Sequence, residues 1–114
     1  MKADKSLMSG SATLLVLSLL SGEDKYGYQM IAELEEKSDR TFSMKEGTLY
    51  PILHTLEKTG AVDSYEKEAP IGRTRKYYHI TKKGLKLLGE KKEEWTTFSQ
   101  AVNAVLAGSA PAMA

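Results

Sequence analysis

Apolar residues recur at helical spacing along most of this chain, and an alternating pattern replaces that spacing only between 61 and 80. An uncharged run extends from 6 to 22, and its centre, Leu14–Leu20, is apolar on nearly every side. The apolar part is shorter than the roughly 20 residues of a membrane span, and it lacks the flanks of a signal peptide. A helix that is apolar all round is normally buried. The run therefore predicts no membrane contact, and either a core helix or a helix shared with a second subunit.

Two amphipathic stretches follow the uncharged run. Between 26 and 37, Met30, Ile31 and Leu34 lie on one face of a predicted helix. Between 43 and 60 a second set of apolar residues again falls at helical spacing. This set consists of Leu49, Ile52, Leu53 and Leu56.

The second amphipathic stretch carries signals for the two ends of a helix. Ser43 with Glu46 three residues later fits a capping box, and Gly60 is placed for a left-handed residue after the last turn. Pro51 costs about 3 kcal/mol or more inside a helix unless it falls in the first turns. We therefore expect that the helix begins near Glu46 or Gly47, or that it tolerates a kink at the proline.

The segment 61–80 predicts a β-hairpin. Residues 61–68 alternate weakly, residues 75–80 are rich in tyrosine, and Pro70 and Gly72 between them favour a turn. Tyr78 and Ile80 share one face by period two and are predicted to face the core. Basic residues crowd the predicted tip. They are Arg73, Arg75 and Lys76.

The last part of the chain predicts a long helix with an apolar stripe. Thr81 is suited to cap it. Three residues of the stripe recur every seven positions and two fill the intervening seam, as in a helix–helix dimer interface. The stripe consists of Leu88, Trp95, Phe98, Val102 and Val105. Two interpretations stay open for Trp95, the one tryptophan: packing within the seam, or stacking on a flat aromatic ligand between subunits.

The predicted helix between 43 and 60 presents a polar face beside the basic hairpin. Its polar residues are Lys45, Thr48, His54, Thr55 and Lys58. Gly47 in this helix costs roughly 1 kcal/mol relative to alanine, which indicates a reason other than stability, such as close approach of another backbone. An exposed polar helix suits the major groove of duplex DNA, and a basic hairpin suits the neighbouring phosphates.

The composition of the chain limits the classes of fold and function that fit it. With 114 residues and a net charge of +1, the chain is one domain with a modest core, and DNA binding has to depend on local basic clusters. The absence of cysteine excludes disulfides, zinc fingers and thiol switches. His54 and His79 lie on different predicted elements, so neither a metal site nor another cofactor is expected. No nucleophile or metal is paired with a base, so we assign no catalytic residue and expect no enzyme.

Three segments resemble the recognition helix, the wing and the preceding helix of the PadR family of bacterial transcriptional regulators. They read GTLYPILHTLEKTG (47–60), GRTRKYYHIT (72–81) and KYGYQMIAELEE (25–36). The similarity covers roughly residues 14–106. It implies a winged helix-turn-helix plus a C-terminal dimerisation helix, a mostly α fold with a small β-hairpin wing. The implied divisions are a DNA-binding domain (1–81), a dimerisation helix (82–107) and a disordered tail (108–114).

The resemblance also implies a bacterial, cytoplasmic, nucleoid-associated homodimer. It would act as a repressor that binds a pseudo-palindromic operator in double-stranded DNA and is released by a small molecule. The expected DNA contacts are Tyr26, Lys45, Gly47, Thr48, Tyr50, His54, Arg73, Arg75 and Lys76. The expected dimer contacts are Leu15, Leu19, Leu88, Trp95, Phe98, Val102 and Val105. Trp95 and Phe98 are also the candidates for binding a planar aromatic or phenolic effector.

Two other functions stay open. One is a small-molecule or multidrug sensor whose dimer-interface pocket is the main activity. The other is a dimeric adaptor that has lost DNA binding, although the intact basic wing and the polar helix face argue against it.

Overall fold

The computed structural model describes the backbone of residues 5–108 and the side chains of residues 10–108. Its helices are α1 (Lys5–Leu20), α2 (Gly27–Lys37), α3 (Glu46–Lys58) and α4 (Lys82–Gly108). Its strands are β1 (Lys25–Tyr26), β2 (Val62–Glu68) and β3 (Thr74–Ile80), which form one antiparallel sheet in the order β1-β3-β2. The predicted fold class is confirmed. Gly108, placed in the predicted tail, still belongs to α4, and the rest of that tail lies outside the described residues.

The apolar run is buried mainly by its own protomer. Val16, Leu17 and Leu20 of α1 belong to one core cluster with Met30 of α2 and Leu53 of α3, and each is at most 1% exposed. This burial matches the interpretation of α1 as a core helix. None of the helices in residues 5–108 is both long enough and apolar enough to cross a bilayer.

The capping box predicted at Ser43 is wrong. Lys45, in extended conformation, is the residue before α3, and no side chain caps the helix there. Met44, which is only 3% exposed, packs in the core directly before the extended Lys45, and the helix begins after these two residues. Met44 and Leu49, both buried, occupy the two positions of a hydrophobic staple around this helix start. The alternative start at Glu46 is confirmed.

Pro51 is the sixth residue of α3 and lies beyond its first turn. Because proline has no N–H, the carbonyl four residues earlier, at Gly47, has no intrahelical donor. Gly47 is exposed, so water can reach that carbonyl. At the other end, Gly60 has the predicted left-handed conformation, with φ of 84°. The N–H of Ala61 donates to the carbonyl of Leu56 at 2.8 Å, which closes a Schellman motif.

The hairpin follows the predicted pattern. Both strands begin one residue from the predicted position, and their register pairs Val62 with Ile80 and Glu68 with Thr74. Tyr78 and Ile80 face the core, as predicted. The turn at the tip is closed by the Ala69 N–H, which donates to the Arg73 carbonyl at 2.6 Å. The short strand β1 was not predicted, because two residues carry no detectable alternation.

α4 begins on the core and extends away from it. The N–H of Gly84 donates to Thr81 Oγ1 at 3.1 Å, which confirms the predicted cap. A Cβ at Gly84 would overlap the carbonyl of Ala61. The absence of a side chain at position 84 therefore allows α4 to pack closely against the start of the wing. Leu88 is buried in the core, whereas the residues from Trp95 onward are largely exposed, and the molecule is 66 Å long.

Candidate nucleic-acid interface

The exposed face of α3 carries most of the predicted base-reading residues. Leu49, Leu53 and Leu56 bury the opposite face in the core. The side of α3 and its cap that is left in solvent includes Lys45, Gly47, Thr48 and His54. A Cβ built at Gly47 would meet no atom within 4 Å, so nothing inside the described protein requires glycine there.

Tyr50 braces α3 against α2. Its ring lies on Gly27, the first residue of α2, where an added Cβ would stand only 2.7 Å from Tyr50 Cζ and closer still to Oη. Tyr50 is 41% exposed, so part of its ring also reaches the protein surface. Gly27 and Tyr50 belong to two segments, 25–36 and 47–60, that resemble helices of the PadR family, and these segments meet at this contact.

Tyr26 and Arg75 join the helix-turn-helix to the wing. The Arg75 guanidinium lies 4.5 Å from the centroid of the Tyr26 ring, within the range of a cation–π interaction. Tyr26 is the residue before α2, and its ring meets that of Tyr77 edge to face, with centroids 5.4 Å apart. The start of α2 and the outer face of the wing therefore form one continuous surface.

The three basic residues near the wing tip have different surroundings. Arg73 and Arg75 are exposed and form no ion pair within the described part of the chain. Lys76 points to the other side of β3, where its Nζ lies 3.8 Å from Glu57 of α3 and 5.6 Å from the Tyr78 ring. Its charge is therefore partly balanced by Glu57.

Asp24 links the start of α2 to both wing strands, although the sequence analysis did not identify it. Its carboxylate accepts a hydrogen bond from Tyr65 Oη at 2.7 Å and lies 2.8 Å from His79 Nδ1. The Tyr65 hydrogen bond, and then the His79 contact, lower the pKa of Asp24, and the same hydrogen bond raises the pKa of Tyr65. These residues are 41 and 55 positions from Asp24, and no local pattern reveals such a contact.

Lys25 is a second residue that the sequence analysis missed. Its side chain is buried, its Nζ donates to the carbonyl of Leu19 at the end of α1, and it lies 3.5 Å from Glu33 of α2. Lys37 also pairs with Glu33 at 2.8 Å, and this contact is the main cause of a lowered Glu33 pKa. Lys25 therefore fastens the start of α2 to α1.

A family model for PadR-like transcriptional regulators matches residues 16–90, which include α2, α3 and the whole wing. The chain belongs to the PadR-like family of transcriptional regulators. It is therefore a winged-helix transcriptional regulator of a DNA-binding family. The solved structures that it resembles are transcriptional regulators and not enzymes.

Solved structures agree with the PadR-like assignment, and one sequence relative matches nearly the whole chain. The fold is similar to that of a transcriptional regulator from Clostridium thermocellum, with a TM-score of 0.81 and 35% identity over 88% of this chain and 97% of the other. A PadR-like transcriptional regulator from Bacillus cereus gives a TM-score of 0.77 and 35% identity over 90% and 97% of the two chains. An uncharacterised protein of Lysinibacillus sphaericus is 30% identical over 102 residues, which are 90% of this chain and 94% of that protein.

The residues expected at a PadR-like dimer interface fall into two groups. Leu19 and Leu88 are buried in the core of the protomer, and Leu15 is half-buried. The others lie exposed along the outer half of α4. They are Trp95, Phe98, Val102 and Val105. The Trp95 and Phe98 rings are neighbours, with centroids 6.2 Å apart.

Metal-binding residues do not gather in the described part of this PadR-like chain. No group of three or more histidine, cysteine, aspartate or glutamate side chains has the arrangement of a metal site in residues 5–108. His54 is exposed on α3, and His79 is held by Asp24 on the sheet.

Proposed function

We propose that this PadR-like regulator is a repressor that binds a pseudo-palindromic operator as a homodimer. The observation that carries the proposal is that the start of α2 contacts both other elements: Tyr26 lies against Arg75 of the wing, and Gly27 lies against Tyr50 of α3. A duplex bound at these elements would meet a helix for its major groove and cations for its phosphates. Such a protein would act in the cytoplasm, at the nucleoid.

The proposed contacts differ in what they read. Thr48 and Lys45, at the start of α3, would reach base edges, which carry sequence preference. Tyr50 and His54 would lie at the groove edge or its phosphates, and Gly47 would admit the DNA backbone closely. Arg73, Arg75, Lys76 and Tyr26 would bind the backbone. Such contacts supply affinity and salt dependence rather than specificity.

The exposed half of α4 supports the proposed homodimer. Four large apolar residues on one helix, with exposed fractions from 39% to 71%, are unusual on a surface that stays in water. A second copy of the same stripe would cover them in an isologous interface.

A second candidate function is a small-molecule sensor, and the exposure of Trp95 favours it. Trp95 is 51% exposed beside Phe98, and an open hollow next to Phe98 is lined by acidic residues. They are Glu90, Glu93 and Glu94. A planar cationic compound would match both the rings and the charge. Binding would quench Trp95 fluorescence. Quenching with unchanged operator affinity would favour the sensor alone, whereas quenching with weakened affinity would support effector-released repression.

A footprint on the upstream region of the protein's own gene tests the main proposal. We expect protection of two half-sites separated by about 34–36 Å, on one face of the duplex, by a dimer. A scrambled fragment of equal length is the control. Equal binding to both fragments would contradict operator recognition, and activation of a reporter gene would contradict repression.

A further inference from the structure

Two carboxylates hold the wing, one from each face of its sheet. Glu57, the last residue but one of α3, lies on the inner face, and Asp24, directly before β1, lies on the outer face. Each carboxylate uses one of its oxygens for β2 and the other for β3. The two strands of the wing are therefore fastened both to the recognition helix and to the start of α2.

Glu57 contacts both strands from the inner face. Its Oε2 accepts a hydrogen bond from Ser64 Oγ of β2 at 2.5 Å, and its Oε1 lies 3.8 Å from Lys76 Nζ of β3. Glu57 and Ser64 are both half-buried, so water competes less for this hydrogen bond than for one on an open surface.

Asp24 repeats this arrangement on the outer face. Its Oδ2 accepts a hydrogen bond from Tyr65 Oη of β2 at 2.7 Å, and its Oδ1 lies 2.8 Å from His79 Nδ1 of β3. Ser64 and Tyr65 are consecutive, and successive residues of a strand point to opposite faces. β2 is therefore held from both sides at one point along its length.

The wing has few other contacts that fix its direction. Val62, Tyr78 and Ile80 bury its base in the core, whereas residues 66–76, except Ala69, are exposed. β1 supports β3 over only two residues, and β2 is an edge strand. Because two strands alone are marginally stable in water, the outer part of the wing depends on its anchors near the base.

We propose that Glu57 and Asp24 are positioning residues for DNA binding, which fix the angle between the wing and α3. The inference rests on the proposed function, in which Arg73 of the wing contacts a phosphate while α3 occupies the major groove. A wing already held at the correct angle loses little conformational freedom when DNA binds, so more of the interaction of its cations appears as affinity. Both carboxylates act through the wing, and neither contacts the polyanion.

The double variant Ser64→Ala/Tyr65→Phe tests the proposal without changing the charge of the protein. It removes two hydroxyls, and phenylalanine keeps the ring that stacks on Tyr77. We expect the slope of log affinity against log salt to flatten toward that of Arg73→Ala, by about 0.9 per lost contact, or about 1.8 per dimer. Adding Arg73→Ala to the double variant should then have little further effect.

Residual dipolar couplings, measured without DNA, report the angle of the wing directly. In the wild type one alignment should fit the amides of α3 and of the wing, whereas the double variant should need a separate, weaker alignment for the wing. Circular dichroism verifies that the variant is folded. The control is Ser21→Ala, which removes an exposed hydroxyl that donates to the Ser18 carbonyl and should change neither measurement.

Unchanged couplings in the double variant would overturn the inference, and altered couplings with an unchanged salt slope would overturn the role in DNA binding. An additive effect of Arg73→Ala would also contradict it, since a displaced wing has already lost that contact. If the wild type fails to distinguish the operator from a scrambled duplex, the proposed function itself fails, and the couplings still decide whether the two carboxylates fix the wing.

Discussion

The hydroxyl of Tyr50 occupies the place where any side chain at Gly27 would begin. The tyrosine belongs to α3 and the glycine opens α2, so this contact sets the distance between the two helices of the DNA-binding motif. A reader of the sequence sees a tyrosine in one motif and a glycine in another, 23 positions apart in the printed chain. Their contact explains why residue 27 has no side chain.

The substitution Gly27→Ala should destabilise the protein by about 1–3 kcal/mol, because a methyl group there forces the tyrosine ring to move. In a Tyr50→Ala background the same change should cost much less. Thermal or urea unfolding of the four proteins measures the coupling between the sites. If the two substitutions change the free energy of unfolding additively, the Tyr50 ring moves aside without cost.

Gly47→Ala should change stability and DNA affinity in opposite directions. The site is open, so alanine should stabilise α3 by about 0.5–1 kcal/mol through its helix propensity. If DNA approaches the helix there, the added methyl should weaken operator binding several-fold. Gly89→Ala, in an equally open site on α4, is the matched control and should stabilise without affecting binding. Unchanged affinity in Gly47→Ala would remove this residue from the interface.

Arg73→Ala and Lys76→Ala should differ in their effect on salt dependence. Arg73 has no acidic partner among the described residues, and its loss should flatten the slope of log affinity against log salt by about 0.9 per contact. Lys76 is already partly balanced by Glu57, so its loss should flatten the slope less. Glu57→Gln should steepen the slope by freeing Lys76. Equal slopes for the two alanine variants would contradict this difference.

Asp24→Asn should destabilise the protein at pH 7, and the difference from wild type should shrink toward pH 3. The pKa of Asp24 is lowered in the folded state, first by the Tyr65 hydrogen bond. Its carboxylate therefore stabilises the fold above the unfolded pKa of about 3.9, and this stabilisation is lost as pH falls through the folded pKa. Urea unfolding across this range is the measurement. Asp63→Asn, which removes a neighbouring exposed carboxylate, is the control. Its difference from wild type in the free energy of unfolding should change less with pH.

Phe98→Asp should convert the proposed homodimer to a folded monomer with weak operator binding. Phe98 is 61% exposed, so the substitution leaves the protomer core intact while burying a charge in the proposed interface. Sedimentation and circular dichroism distinguish dissociation from unfolding. A variant that stays dimeric would exclude Phe98 from the interface.

Local patterns in the sequence predicted the elements that depend on local chemistry. Gly60 ends α3 and Thr81 caps α4 because turn and cap geometry require those residue types nearby in the chain. Ser43 with Glu46 also forms a local capping pattern, but the prediction from it was wrong. The helix begins only after Met44, which is buried in the core, and no local pattern reveals that burial. Contacts such as those of Asp24 depend on strand register and could not be predicted from one sequence.

The apolar stripe on the last helix shows a related limit. Spacing alone placed Leu88 and Trp95 on the same seam, and in the structure the first is buried in the protomer and the second is exposed. Periodicity reports which residues share a face of a helix. It does not report where along that face one molecule ends and its surroundings begin.

The close approach of Gly84 to the carbonyl of Ala61 gives α4 the properties of a lever. The helix has 27 residues and is therefore about 40 Å long, and only its base is held by the core. A tilt of a few degrees at this fulcrum would displace the far end by several ångströms. If α4 joins two subunits as proposed, the spacing of those subunits along DNA would depend on the packing of Gly84 against Ala61 inside each of them.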